Sequence, residues 1–218
     1  MNILYSVIVF ICGSLFGNIS TGYFIAKKNH VDIMHEGSGN VGSTNAMRTM
    51  GAKKGLITLL GDIIKAVLPL CLVRFVFFKD LPGLSNGAFS TDYFVLLTGL
   101  GVVIGHCFPF WLHFKGGKGI ASTGGSIIVF NPVMAGILFS IFCVIVAIFR
   151  YVSLGSLIAI LGVPVAISIM YPGKWVLVII GALYTVVAYY QHRGNIDRLI
   201  HHNERKFSFG KKDKKEGN

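Results

Sequence analysis

Three polar segments interrupt an otherwise apolar chain, and their residue types could hold phosphate. The first is Gly37-Ser38-Gly39-Asn40-Val41-Gly42-Ser43-Thr44-Asn45-Ala46-Met47-Arg48. Glycines let a backbone curl so that consecutive N–H groups converge on an anion, hydroxyls and amides add donors, and Arg48 adds a planar charge. Gly37, Ser38, Gly39, Asn40, Gly42, Thr44, Asn45 and Arg48 are therefore candidate phosphate contacts. The stretch also satisfies G-x-G-x-x-G, with Asp62 twenty residues after Gly42. No strand pattern precedes the glycines and Asp62 falls in an apolar run, so a dinucleotide fold is rejected.

The second segment runs from Gly105 to Gly119 and ends in Lys115-Gly116-Gly117-Lys118-Gly119. Its spacing is not that of a nucleotide P-loop, but glycine amides and two ammonium groups before a helix start form an anion cradle. Phe108, Phe110, Trp111 and Phe114 read as an interfacial aromatic belt. His106 fits a structural role or proton transfer. The third segment, His192 to Leu199 with Glu204 beyond it, sets an imidazole three residues before the amide of Asn195. On a continuing helix the two share a face, which suits a base beside a hydrogen-bonding group. The spacing of His192 and Asp197 matches one found in some soluble transferases, but five residues place them about 140° apart on a helix, so this is read as coincidence.

These segments need a scaffold, and composition says which. Of 218 residues, 53% are hydrophobic and 13% charged, and the mean hydropathy is +0.68. Bilayer is the expected solvent. Apolar runs at roughly 3–26, 55–78, 93–112, 120–130, 133–149, 151–171 and 175–191 suggest an all-α, polytopic membrane bundle of about seven helices. The 120–130 run is short, with a break at Asn131-Pro132, and reads as a short or re-entrant helix. The first run has no basic residue upstream and no cleavage pattern, so a retained helix is expected. Asp62 and Lys65, three apart inside the second run, should pair toward the bundle interior and support the site. Gly13 and Gly17 mark a close-packing face.

Five Lys and Arg lie in 27–54 and eight from Arg193 onward. The positive-inside rule then puts both stretches in the cytoplasm and the amino terminus outside. The net charge of +11 belongs to that surface, facing anionic lipid and not nucleic acid. Residues 1–210 read as one transmembrane domain and 211–218 as a basic, disordered tail. The four cysteines have no CxxC spacing, so neither a metal site nor a disulfide frame is expected. A small transporter for a phosphorylated solute, or a scaffold recruiting a partner through its tail, are the rival classes. Against the first, the polar residues gather at one membrane face and no inverted repeat is visible.

The chain resembles the bacterial acyl-phosphate:glycerol-3-phosphate acyltransferase family of the PlsY type. The resemblance rests on Gly-Ser-Gly-Asn-x-Gly-x-Thr-Asn-x-x-Arg (Gly37 to Arg48), Gly-His-x-Phe-Pro with Phe-Lys-Gly-Gly-Lys-Gly (Gly105 to Gly119), and His-x-x-Asn-Ile-x-Arg-Leu (His192 to Leu199) with Glu204. Ser153-Leu154-Gly155-Ser156 is a lesser similarity; Ser43, Ser122 and His202 depart from the usual pattern. It implies transfer of a fatty acyl group from acyl phosphate to the 1-hydroxyl of glycerol 3-phosphate, giving lysophosphatidate and inorganic phosphate. It further implies no cofactor, a bacterial inner-membrane location, and a soluble enzyme that supplies acyl phosphate. The expected catalytic set is His192, Asn195, Ser38, Arg48 and Lys118. Lys115, the Gly116, Gly117 and Gly119 amides, His106, Ser153 and Ser156 line the substrates, and Asp62, Lys65 and Glu204 support them. The hydroxyl proton could go to His192 or to the acyl phosphate itself.

Overall fold

The computed structural model describes residues 2–78 and 89–207, and among them every regular element is helical. The long helices are α1 (Asn2–Gly17), α4 (Ala52–Leu72, prolonged by a π-helical turn to Phe77), α5 (Thr91–Cys107), α7 (Pro132–Phe149), α8 (Val152–Met170) and α9 (Trp175–Gln191). Shorter ones are α2 (Thr21–Lys28), α3 (Ser43–Met50), α6 (Ile120–Phe130) and α10 (Arg193–Ile200). The lysine-rich end 211–218 lies outside the described residues.

Large apolar side chains cover the outside: Val133, Phe139 and Ile148 on α7, Ile169 on α8 and Ile179 on α9 all stand exposed. In water such a surface would aggregate, whereas lipid solvates it. Five stretches are long and apolar enough to cross a bilayer, and α9 with α10, bent by 64°, makes a sixth. The expected seventh, α6, has eleven residues and reaches only about 17 Å, against ~30 Å of hydrocarbon.

The centre is α5, whose small residues let neighbours approach to backbone contact. A Cβ on Gly13 or Gly17 would fall 2.2 Å from the Thr98 carbonyl oxygen or 2.1 Å from that of Val102. On α5, a Cβ at Gly101 or Gly105 would meet the Phe10 or Ser14 carbonyl at 2.3 or 2.0 Å. The expected glycine face of α1 therefore meets a matching one, and dispersion between backbones replaces a hydrophobic force that lipid does not supply.

The first apolar run was expected to be one helix through Ala26, but it breaks at Asn18–Ser20. Tertiary capping holds the break: Lys65 Nζ donates to the carbonyls of Gly17 (3.2 Å) and Ile19 (2.7 Å), and Trp111 Nε1 donates to that of Asn18 (2.9 Å). These bonds satisfy carbonyls that a helix end leaves orphaned. At one end of the bundle, Ser6 bonds Tyr93, Asn131 bonds Tyr171, and Arg74 spans Asp92 and the carbonyls of Val129 and Phe130. The other end gathers α2, α3, the 113–119 segment, the α7–α8 turn and α10.

Candidate active site

Asn45 organises the first loop. Its Oδ1 accepts the Ser38 N–H at 2.8 Å, while its Nδ2 donates to the carbonyls of Ile33 (3.2 Å) and Glu36 (3.0 Å). Gly37 (φ +64°) and Gly39 (φ +69°) adopt left-handed backbone as the loop turns around that amide, a conformation that disfavours a Cβ. Asn40 Oδ1 accepts from the Gly42 N–H, and its Nδ2 donates to the Gly116 carbonyl at 3.2 Å, joining the first segment to the second. Asn40 and Asn45, expected to touch phosphate, are thus spent on framework. Ser38, Thr44 and Arg48 are exposed on this frame, and Thr44 and Arg48, four apart on α3, share a face.

The second segment is strapped to the end of α5. Gly117 N–H donates to the His106 carbonyl (3.0 Å) and Gly116 N–H to that of Cys107 (3.1 Å). These two amides, expected to cradle phosphate, are already occupied. Their glycines are needed for closeness instead: a Cβ on Gly117 would sit 2.0 Å from His106 Nε2. Lys115 is exposed. Gly119 (φ +81°) turns the chain into the N-terminus of α6.

His106 is buried with Asp62 and Lys65. Lys65 Nζ lies 2.8 Å from His106 Nδ1 and 3.0 Å from Asp62 Oδ1. An ammonium only donates, so Nδ1 accepts and the imidazole proton sits on Nε2, against Gly117. The triad ties α1, α4 and α5 together; His106, whose residue type fitted a structural role or proton transfer and which the resemblance put at the substrate, is held inside the bundle by Lys65. Ser156 bonds within its own helix, to the Val152 carbonyl.

The third segment bends, so the condition of a continuing helix is not met, and His192 ends α9 and opens α10. Both His192 and Asn195 are nonetheless buried. His192 Nδ1 lies 2.7 Å from the Ala188 carbonyl and must donate to it, which leaves the Nε2 lone pair as acceptor. Asn195 Oδ1 accepts from Lys118 Nζ, and its Nδ2 donates to Glu204 Oε1 at 2.7 Å. Glu204 also accepts from Ser153 Oγ (2.8 Å) and Arg198 Nε (2.7 Å). Burial raises this carboxyl, but the bonds from Asn195, Ser153 and Arg198 together hold it below its usual range.

Lys118 is where the three segments meet. Burial pushes its ammonium down to about 8; Glu204 opposes the shift, while Arg198 and Arg48 add to it. Three cations against one carboxylate leave a local excess of positive charge suited to a phosphate dianion. Gln191 was not singled out in the sequence, yet its Nε2 donates to the Cys107 carbonyl at 3.0 Å. It ties the His192 end of α9 to the peptide group that also holds Gly116. Its only signal was an amide in the last turn of an apolar helix.

The model of the glycerol-3-phosphate acyltransferase family matches residues 7–202. The glycerol-3-phosphate acyltransferase of Clostridioides difficile (strain 630) is 39% identical over 207 residues, covering 94% of this chain and 97% of that one. Its counterpart in Desulforudis audaxviator (strain MP104C) is 39% identical over 212 residues, covering 97% and 100%. Among solved structures, PlsY (YgiH), an integral membrane glycerol 3-phosphate acyltransferase, superposes in its glycerol 3-phosphate form with a TM-score of 0.78 at 33% identity, over 93% of this chain and 96% of that one. Its lysophosphatidic acid form gives 0.75. This chain belongs to the glycerol-3-phosphate acyltransferase family.

Proposed function

We propose that this membrane glycerol-3-phosphate acyltransferase takes its acyl group from acyl phosphate and delivers it to the 1-hydroxyl of glycerol 3-phosphate, releasing lysophosphatidate and inorganic phosphate. The observation that carries the reading is the meeting of Arg48, Lys118, His192 and Asn195, from three separate segments, in one electropositive site at one end of the bundle. The site faces the cytoplasm of a bacterial inner membrane, since the basic residues of 27–54 and of 193 onward share that end. Arg48, Lys118, Arg198 and Glu204 converge at that end, which favours an enzyme over a transporter.

Arg48 and Lys118, with Ser38 and Thr44, hold phosphate, and their charge stabilises the departing phosphate and the oxyanion that develops on the acyl carbonyl. The hydroxyl oxygen attacks the acyl carbon, the carbon–oxygen bond to phosphate breaks, and phosphate leaves with the electron pair. His192 Nε2 and Asn195 Oδ1 are both acceptors, so together they aim the hydroxyl. The proton passes to Nε2, or to the leaving phosphate with His192 as a positioning group. Transfer is read as direct, and a burst of phosphate release from acyl phosphate alone would point to an acyl-enzyme instead. A soluble enzyme that makes acyl phosphate supplies the donor.

Purified protein given acyl phosphate and labelled glycerol 3-phosphate should form labelled lysophosphatidate, and its absence would overturn the reading. Arg48→Ala should lower kcat/KM by about two orders of magnitude, the loss of a charged hydrogen bond, with expression intact. His192→Ala retaining most of its turnover at saturating glycerol 3-phosphate would assign the proton to phosphate.

A further inference from the structure

Among the described residues, two side chains bond the last two helices to the second segment: Asn195 to Lys118, and Gln191 to the Cys107 carbonyl. A bound substrate treats the two bonds differently. Lys118 holds phosphate, so an arriving dianion competes for the ammonium protons that Asn195 accepts. The Cys107 carbonyl offers an anion nothing, so the Gln191 bond remains when the first is redirected.

Gln191 also sits where a small error grows. It is the last residue of α9, next to His192, and the helix axis turns there by 64°. Asn195 lies three residues beyond the turn, so a change of bend angle swings the imidazole and the amide together. A carbonyl only accepts, so the Nε2 end of the Gln191 amide faces Cys107. The same carbonyl accepts the Gly116 N–H at 3.1 Å. Cys107 has no slack against the Lys118 loop: a Cβ on Gly116 would lie 2.7 Å from its carbonyl oxygen, and one on Gly119 would lie 3.1 Å from its Sγ. One residue of α5 thus fixes the loop that carries Lys118 and, through Gln191, the helix end that carries His192.

We propose that Gln191 is a positioning residue for acyl transfer: by clamping the end of α9 to Cys107 it keeps His192 and Asn195 in register with Lys118, so that glycerol's hydroxyl, and not water, meets the bound acyl phosphate. This rests on the acyltransferase reading above. Gln191 acts through its neighbours and leaves the donor's contacts with Arg48 and Lys118 alone. Its loss therefore misaligns the acceptor while the donor stays bound, and a misplacement of about 1 Å costs on the order of a hundredfold in rate.

The test uses the full chain in lipid nanodiscs with saturating acyl phosphate and varied glycerol 3-phosphate, and follows both lysophosphatidate and total phosphate. Gln191→Leu keeps the bulk of the side chain and removes its donor. It should lower kcat for lysophosphatidate by about tenfold or more and change KM by less than about threefold. Phosphate release without glycerol 3-phosphate should stay within about twofold of the parent, so the ratio of phosphate to lysophosphatidate rises, which general loss of folded protein would not cause. Gln191→Lys, which can still donate to the carbonyl, should recover most of the transfer rate. In a His192→Ala background Gln191→Leu should cost less than about threefold, because one of the groups it aims is already gone. An unchanged product ratio in Gln191→Leu would overturn the proposal, as would the same uncoupling in Arg193→Ala, whose bond to the Tyr190 carbonyl is exposed at the same bend. Should Gln191→Leu prove poorly folded, Gln191→Asn keeps the amide but shortens its reach by one methylene, and it should raise the ratio to a smaller degree; no rise there overturns the proposal equally. A parent protein that makes no lysophosphatidate would instead sink the acyltransferase reading.

Discussion

The Lys118 ammonium should set the alkaline limit of activity. Its protonated form competes with burial and with Arg198 and Arg48, which bring it from 10.5 to about 8. In the free protein at pH 9 about one molecule in eleven then keeps the charge, and kcat/KM for glycerol 3-phosphate should fall about tenfold between pH 7 and pH 9, or ~1.4 kcal/mol. Lys118→Arg should be slower at pH 7, because a planar fork fits a site built for a point charge poorly, but its alkaline limb should vanish, since guanidinium stays charged. The direction for stability follows from proton binding. Between about pH 8 and 10.5 the unfolded chain holds more protons than the folded one, so the ligand-free protein should gain stability as pH rises through that window. Below pH 8 both states are protonated and the cost of about 3 kcal/mol is fully present. Initial rates in nanodiscs from pH 6.5 to 10, corrected for uncatalysed hydrolysis, measure the first effect. Thermal unfolding of both variants measures the second. An alkaline limb of the same midpoint in Lys118→Arg would refute the reasoning.

Gly117→Ala should cost at least about tenfold in kcat/KM, as its methyl would displace the His106 imidazole that Lys65 holds, an overpacking of ~1–3 kcal/mol; rates and melting temperature check it. Asn45→Ala should raise KM for glycerol 3-phosphate while lowering stability by ~1–3 kcal/mol, because it strands the Ile33 and Glu36 carbonyls and the Ser38 N–H. Gly101→Leu should abolish monodisperse purified protein by prising α1 from α5, which size-exclusion chromatography reports.

Helix existence was legible because lipid imposes long apolar runs: α9 is Trp175–Gln191 as expected, and α7 starts one residue before the expected 133. The break at Asn18–Ser20 was not, because its carbonyls are satisfied by Lys65 and Trp111, far along the chain. The three site segments were legible from residue type, and their convergence on Lys118 follows from helices that return each segment to the same end. Finer roles depended on partners no local pattern encodes. The glycines at 116 and 117 read as free amides, but α5 takes both N–H groups. Asn40 and Asn45 read as ligands, but Asn45 bonds the loop around it and Asn40 bonds both Gly42 and the Gly116 carbonyl of the second segment. His106 could be read either way, and burial beside Lys65 decides it.

The brevity of α6 bears on permeability. It covers little more than half the usual depth of hydrocarbon, and at its end away from Lys118 Arg74 donates to Asp92 and to the carbonyls of Val129 and Phe130. Resistance to ion leakage there falls to tight side-chain packing and not to lipid. Ser122 and Ser126, fully buried along this helix, spend their hydroxyls on the carbonyls of Asp62 and Ser122, so the short crossing leaves neither of them unpaired.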